Sequence, residues 1–178
     1  MTREALLLHS CCGPCSTAVL EQVMPDFDVT LYFYNPNLDS EAEFTRRLTA
    51  QETVAEHFSV PLVMVPYDPA AYMTRIAGLE SEPEGGTRCE HCFTLRLEDT
   101  AKLAQARGFD RFGTTLSVSP HKDADLLNEI GARLERSQGI PYLKADFKKK
   151  EGYRRSVAIA RELLLYRQNY CGCLYSLR

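Results

Sequence analysis

The sequence predicts a doubly wound α/β fold, a mostly parallel five-stranded sheet with helices on both faces. Three observations predict it. Apolar runs rich in Leu, Val and Tyr alternate with helical patterns along the whole chain, as strands buried on both faces require. A chain of 178 residues with 44% hydrophobic content suits one α/β domain with a sizeable core, so residues 1–178 are read as a single domain. The segments that follow the strands are polar and turn-forming, as a ligand crevice at the carboxyl ends of such a sheet demands.

The first strand is expected over Ala5–His9, running into Ser10-Cys11-Cys12-Gly13-Pro14-Cys15 and then a helix from Ser16 to Met24. A tight strand-to-helix turn presents backbone N–H groups and the positive helix end, which favour thiolates. The second strand, Val29–Tyr34, leads to Asn35-Pro36-Asn37. Ser40 and Glu43 then form a capping-box pattern. Phe44, Leu48, Ala55 and Phe58 fall on one helical stripe, read as core-facing, with His57 at the surface. The third strand, Leu62–Pro66, leads to Tyr67-Asp68, and Tyr67 to Gly86 is the least regular part.

A helix is expected from Thr87 to just before Gly108, burying Phe93, Leu97, Ala101 and Ala104. The fourth strand is Phe112–Leu116. Ser119-Pro120 is read as opening another helix, with Leu127, Ile130 and Leu134 inward. A fifth strand is placed at Tyr142–Ala145, followed by Asp146-Phe147-Lys148. A basic helix over about Glu151–Tyr166 precedes the ending Tyr170-Cys171-Gly172-Cys173. The segments after the five strands are expected to converge on one crevice.

Charge and compartment exclude some functions. The net charge of −3 gives no global case for nucleic acid, and no segment has the shape of a membrane span or a signal peptide. Seven cysteines in such a chain point to a cytoplasmic location, where cysteine clusters mean metal or redox chemistry.

Cys89 and Cys92, three apart at a helix start, share a face. With Cys11 and Cys12 they make four thiolates, enough for zinc or an iron–sulfur cluster. Adjacent cysteines serve one tetrahedral zinc awkwardly, whereas each can reach a different iron of a cubane, so the spacing favours iron–sulfur. Cys12-Gly13-Pro14-Cys15 is also the thioredoxin pattern, but Cys11 precedes it where an aromatic is expected. Cys15 is either a buried helix thiol, a ligand to a second iron, or a reactive thiol at the substrate. Cys171-Gly172-Cys173 can close only a small strained disulfide, or remain two free thiols.

These residues resemble the cobalamin-independent epoxyqueuosine reductases, the QueH family. The likeness runs nearly end to end, through His9-Ser10-Cys11-Cys12-Gly13-Pro14-Cys15, Tyr32-Phe33-Tyr34-Asn35-Pro36-Asn37 and Gly85-Gly86-Thr87-Arg88-Cys89-Glu90-His91-Cys92-Phe93. It continues through Thr114-Thr115-Leu116-Ser117-Val118-Ser119-Pro120-His121-Lys122, Asp146-Phe147-Lys148-Lys149-Lys150 and Tyr166-Arg167-Gln168-Asn169-Tyr170-Cys171-Gly172-Cys173. Asp39 departs from the pattern, which expects His there.

The resemblance implies a 4Fe-4S cluster on Cys11, Cys12, Cys89 and Cys92, and a redox-active disulfide between Cys171 and Cys173. It implies reduction of the epoxide of epoxyqueuosine, at the wobble position of tRNA, to the alkene of queuosine, with an external electron donor and no membrane partner. The sheet should be of the PP-loop/HUP-like type. Asn35, Asn37, Lys148, Lys149, Lys150, Arg154 and Tyr170 are read as substrate contacts, with Tyr153, Tyr166 and Tyr170 available for base stacking. Basic residues outnumber acidic ones from Lys144 to Gln168, which suits phosphate contact. For the ending to reach the crevice, Tyr170 and Leu174 are the expected anchors. A zinc-stabilised RNA-binding module and a thioredoxin-like thiol-exchange protein are the competing functions.

Overall fold

The computed structural model describes residues 2–177. Its sheet is built on β1 (Glu4–His9), which pairs in parallel with β2 (Phe27–Phe33) on one side and β4 (Arg111–Thr114) on the other. β3 (Leu62–Met64) adds in parallel outside β2, so the order is β3-β2-β1-β4. Leu6, Leu7 and Leu8 of β1 are fully buried. Alternation along the strand sends Leu7 to one core and Leu6 and Leu8 to the other. Burial of a leucine side chain stabilises by roughly 1.5–3 kcal/mol, so this triplet pins the sheet between two helical layers.

On the Leu6 and Leu8 face lie α1 (Gly13–Val23) and α2 (Glu41–Phe58), through Val19, Leu20, Val54 and Ala55. α6 (Gly152–Glu162) packs on α1. Opposite lie α4 (Thr87–Ala106) and α5 (Ala124–Gln138), with Phe93, Leu97, Ala101, Ala104, Leu127, Ile130 and Leu134 buried as the periodicity predicts. Helices on both faces of a parallel sheet make the doubly wound architecture. A short α3 (Ala70–Arg75) packs on α4 within the stretch expected to be irregular.

Gly13 opens α1 because nothing larger fits. A Cβ there would meet the Ala50 carbonyl oxygen at 2.7 Å, so the absence of a side chain lets α1 close on α2 directly below the cysteine turn. The Ser40 hydroxyl accepts from the Glu43 N–H at 3.2 Å, one half of the expected capping box. The other half is missing because the Glu43 carboxylate turns inward to Arg46 and Arg47.

Three expectations need correction. Among the described residues the sheet has four strands, not five. Tyr142 makes one isolated parallel bridge to Phe112, and the chain then leaves the sheet because Asn128 takes over its backbone. Asn128 accepts from the Ala145 N–H and donates to the Ala145 carbonyl, each at 3.1 Å. Ser119-Pro120 does not open α5. Ser119 is extended, as a residue before proline prefers, and Asp123 caps the helix by accepting from the Asp125 and Leu126 N–H groups. The final helix is Gly152–Glu162, shorter than expected, and it ends where Leu164 adopts φ +53°.

Candidate metal and redox site

The carboxyl ends of the strands carry a cavity of about 320 Å³. Its walls include Cys11 and Cys15 from the first turn, Cys89 and Phe93 from α4, Ser119 to Asp123 from the loop after β4, and Gln168 to Cys171 from the chain's ending. Segments following β1 and β4 therefore meet as the topology requires. The segments after β2 and β3 go elsewhere, since Asn35, Pro36 and Asp68 line a second cavity with Tyr34 and Asp99, so the expected convergence of all five segments is not met. The Asp146–Lys148 segment props the wall from behind: the Phe147 N–H donates to Ser117 Oγ at 3.2 Å.

Cys11, Cys12 and Cys15 bring their sulfurs within 4.8 Å of one another. Cys12 is the N-cap of α1, with φ −170° and ψ 158°, and this extended backbone turns the first two thiols inward. Cys15, which spacing alone left unassigned, joins the same group. Hydrogen bonds from the Cys12 and Cys15 thiols hold Cys11 well below the usual thiol range, against burial and with help from Lys122 and Arg96. Cys12 is pushed up to about 12, chiefly through its hydrogen bond with Cys11, and Cys15 also rises well above the ordinary value. Gln168 Nε2 donates to Cys12 Sγ at 2.9 Å.

Cys89 and Cys92 lie outside that 4.8 Å group, in the first turns of α4. Cys89 Sγ accepts from the Gly85 N–H at 3.2 Å. Cys92 is buried beside Tyr72, Ile76 and Cys173, and burial pushes its thiol up to about 12. All seven cysteines are free thiols here. Cys171 faces the cavity, whereas Cys173 is buried at 5% exposure.

The ending is strapped down by residues that hydrophobic patterning assigns to the surface. Arg47, 2% exposed, donates to Glu43 Oε1 at 2.6 Å, to the Cys171 carbonyl at 2.9 Å and to the Tyr170 carbonyl at 3.3 Å. The Asp39 N–H donates to the Gly172 carbonyl at 2.9 Å. Gly172 has φ +120°, and a Cβ would lie 2.6 Å from Leu38 Cδ2, so only glycine makes this turn. Tyr170 is an anchor, through its hydroxyl to Asp39. Leu174 is not: it is 58% exposed, and the apolar anchor is the buried Cys173 instead.

Other expected substrate contacts are placed as follows. Asn35 and Asn37 are buried, and Asn35 Nδ2 donates to the Ser10 carbonyl at 2.9 Å. Lys148 Nζ turns inward, donating to the carbonyls of Ser117 at 3.1 Å and Lys122 at 3.0 Å. Lys149 and Lys150 are exposed, and Arg154 pairs with Glu151 at the surface. Tyr166 donates to Glu43 Oε2, while Tyr153 is 45% exposed and borders the cavity. His9 is fully buried, and burial with nearby Arg96 lowers it to about 4. It is a neutral clamp between Thr114 Oγ1 and the Tyr34 carbonyl, each at 3.0 Å.

Arg47, Arg96, Lys122 and Gln168 are the site residues that sequence reasoning did not single out. Arg96 carries a local signal, lying four residues after Cys92 and so on the same face of α4, while Lys122 and Gln168 fall within motifs that carry the family resemblance. Among the described residues, no helix is long and apolar enough to cross a membrane.

Comparison with solved structures supports the PP-loop/HUP-like fold. The U34-tRNA thiolase NcsA of Methanococcus maripaludis, solved with its 4Fe-4S cluster, superposes with a TM-score of 0.60 at 14% identity, covering 99% of this chain and 63% of that one. A predicted tRNA methyltransferase subunit of Methanocaldococcus jannaschii gives 0.56 at 11% identity, covering 85% and 75%. At such identities the likeness is one of fold. Sequence relatives are far nearer. The epoxyqueuosine reductase QueH of Staphylococcus epidermidis is 41% identical over 98% of this chain and 76% of its own length. That of Thermotoga maritima is 35% identical over 97% and 90%. The family model for epoxyqueuosine reductase QueH matches residues 6–178, and the chain belongs to that family.

Proposed function

We propose that this chain is the epoxyqueuosine reductase that its family membership suggests, acting on epoxyqueuosine at the wobble position of tRNA. The carrying observation is the cavity at the strand ends, where Cys11, Cys15, Cys89 and Cys171 from three separate segments face one space. We assign a 4Fe-4S cluster to Cys11, Cys12, Cys89 and Cys92. An all-thiol donor set suits iron–sulfur chemistry. The buried Arg96 guanidinium, whose Nε and Nη2 have no hydrogen-bond partner among the described residues, fits an anionic centre among these sulfurs.

The reaction joins an epoxide, two electrons and two protons to give an alkene and water. A dithiol closing to a disulfide releases two electrons and two protons, so Cys171 and Cys173 balance it, and an external dithiol reopens the pair. The cluster, when bound, supplies one-electron transfer between donor and substrate. Cys171 faces the cavity while Cys173 stays covered, so only one thiol meets the substrate. Arg47 and Asp39 hold the turn between them. Lys122, which makes no hydrogen bond or ion pair through its ammonium among the described residues, lines the same cavity and offers a fixed positive charge to the epoxide oxygen. Cys15 stands within reach of the same centre, either as a ligand to a second iron or as a thiol at the substrate.

A cavity of about 320 Å³ admits one nucleobase and not a stacked stem, so the modified nucleoside must be extruded. Tyr153 borders the opening, and Lys149 and Lys150 stand exposed on the adjoining segment for phosphate contact. The test is anaerobic purification followed by single turnover on tRNA carrying epoxyqueuosine, with nucleosides read by mass spectrometry. About four irons and four sulfides per chain with conversion to queuosine are expected. Zinc in place of iron, or no conversion by cluster-loaded protein, would overturn the assignment.

A further inference from the structure

We infer that Arg96 is the resident countercharge of the sulfur centre and raises its reduction potential; this rests on the cluster reading above. Arg96 is 1% exposed, and among the described residues no carboxylate pairs with it. Among the described residues, the oxygen it donates to is Asn35 Oδ1, at a long 3.4 Å from Nη1. Nε and Nη2 are buried without a partner, and the Phe93 ring lies 5.6 Å from the guanidinium carbon.

The contrast with Arg47 is direct. Arg47 is equally buried but is met by the Glu43 carboxylate and two carbonyls. A guanidinium buried without an anion is strongly unfavourable, so the fold has a reason to keep Arg96 only if an anion stands beside it. The groups that do stand there are thiols. Burial works against the Arg96 charge, and Cys92, Cys171 and Cys11 reinforce it. Cys92 and Arg96 share one face of α4, so the helix itself sets their proximity.

Metal binding turns those thiols into thiolates, and the assembled centre carries the negative charge that Arg96 lacks. Reduction adds one electron, hence one more negative charge, next to a fixed positive one. Positive charge and hydrogen-bond donors near the sulfurs favour the reduced form. Removing the charge should therefore lower the midpoint potential, and restoring it with lysine should bring most of the shift back.

The experiment is a potentiometric titration of reconstituted wild type, Arg96→Gln and Arg96→Lys, with iron, sulfide and circular dichroism measured on each. For Arg96→Gln the reduced-to-oxidised ratio at fixed potential should fall at least tenfold, which is 59 mV for one electron. Arg96→Lys should lie between it and wild type. If Arg96→Gln is folded but does not assemble the centre while Arg96→Lys does, the charge pairing is equally supported. A fully loaded Arg96→Gln with an unchanged midpoint overturns this inference alone. Failure of both variants to assemble in folded protein also overturns it, because charge would not be the property required. Wild type without iron and sulfide overturns the cluster reading itself.

Discussion

The Tyr170 hydroxyl donates to Asp39 Oδ1 at 2.8 Å, joining positions 131 residues apart in sequence. Asp39 stands where the family resemblance expects histidine, and here it serves as a latch, since its own N–H also holds the Gly172 carbonyl. A partly exposed hydrogen bond of this kind contributes about 1 kcal/mol. Tyr170→Phe should then lower Tm by about 2–4 °C and slow turnover with a dithiol donor, leaving iron content unchanged. An unchanged melt and rate would mean that the latch does not hold the turn.

Arg47 carries a larger share of the same task. Its removal leaves Glu43, whose side chain is fully buried, without its closest cation. Breaking such a pair by deleting one partner costs about 3–5 kcal/mol, so Arg47→Met should lose that much in urea denaturation. Freed from Arg47, the Tyr170 and Cys171 carbonyls should let the ending lift away. Alkylation of the buried Cys173 should accelerate accordingly, read by mass spectrometry. Alkylation at the wild-type rate in folded Arg47→Met would detach the arginine from the turn.

The same cluster sets a pH dependence. Burial pushes the Glu43 carboxyl up, but hydrogen bonds from Arg47, Arg46 and Tyr166 outweigh it and hold the group below its ordinary value. The unfolded chain therefore takes up the proton first as pH falls. Stability from this group is complete above the usual glutamate value of about 4.3 and drains away as pH drops through the lower folded value. Comparing wild type with Glu43→Gln should show a stability gap that is constant near neutrality and narrows below about pH 4. A gap that widens on acidification would contradict the assignment.

Lys148, Lys149 and Lys150 look alike in sequence but should behave differently. The Lys148 ammonium is held by the Ser117 and Lys122 carbonyls, so Lys148→Ala should loosen the cavity wall and lower Tm. Lys149 and Lys150 are exposed, and their alanine variants should melt like wild type. If each contacts one phosphate, each loss should flatten the slope of log K against log salt by about 0.7–0.9. Filter binding with tRNA across a salt series measures this, and an unaltered slope would move the RNA to another face.

Hydrophobic periodicity made α4 legible, because Phe93, Leu97, Ala101 and Ala104 are apolar and recur with the helix. It also made the cysteine turn legible, since strand and helix signals flank it closely. The strap was not. Glu43, Arg47 and Gln51 occupy the buried face of α2, and a pattern that scores polar residues as solvated assigns them outward. What pulls Arg47 inward is a pair of carbonyls more than a hundred residues away, and no local window contains them. The fifth strand failed for a related reason: the Asn128 side chain, from a different helix, satisfies the backbone that a strand would have paired.

The turn at Gly172 decides whether Cys171 and Cys173 can act as one two-electron unit. Cys171 faces the cavity and Cys173 packs against Cys92, so the pair spans from the proposed substrate space to the proposed cluster side through a single residue. That residue has φ +120° and almost no room, with Leu38 Cδ2 and Arg47 Nη1 at 2.6 and 2.9 Å from any added Cβ. Gly172→Ala should therefore shift the turn, disturb the Arg47 bond to Cys171 and slow multiple turnover, while the cluster assembles normally. Cys171→Ala/Cys173→Ala removes the dithiol without adding bulk. Chemically reduced, cluster-loaded double mutant should show little sustained turnover with a dithiol donor, because the two electrons of each cycle have lost their carrier. Comparison of burst amplitude with steady-state rate separates the two steps. Sustained turnover at the wild-type rate in the double mutant would reduce Cys171 and Cys173 to a structural pair and leave the electrons to enter by another route.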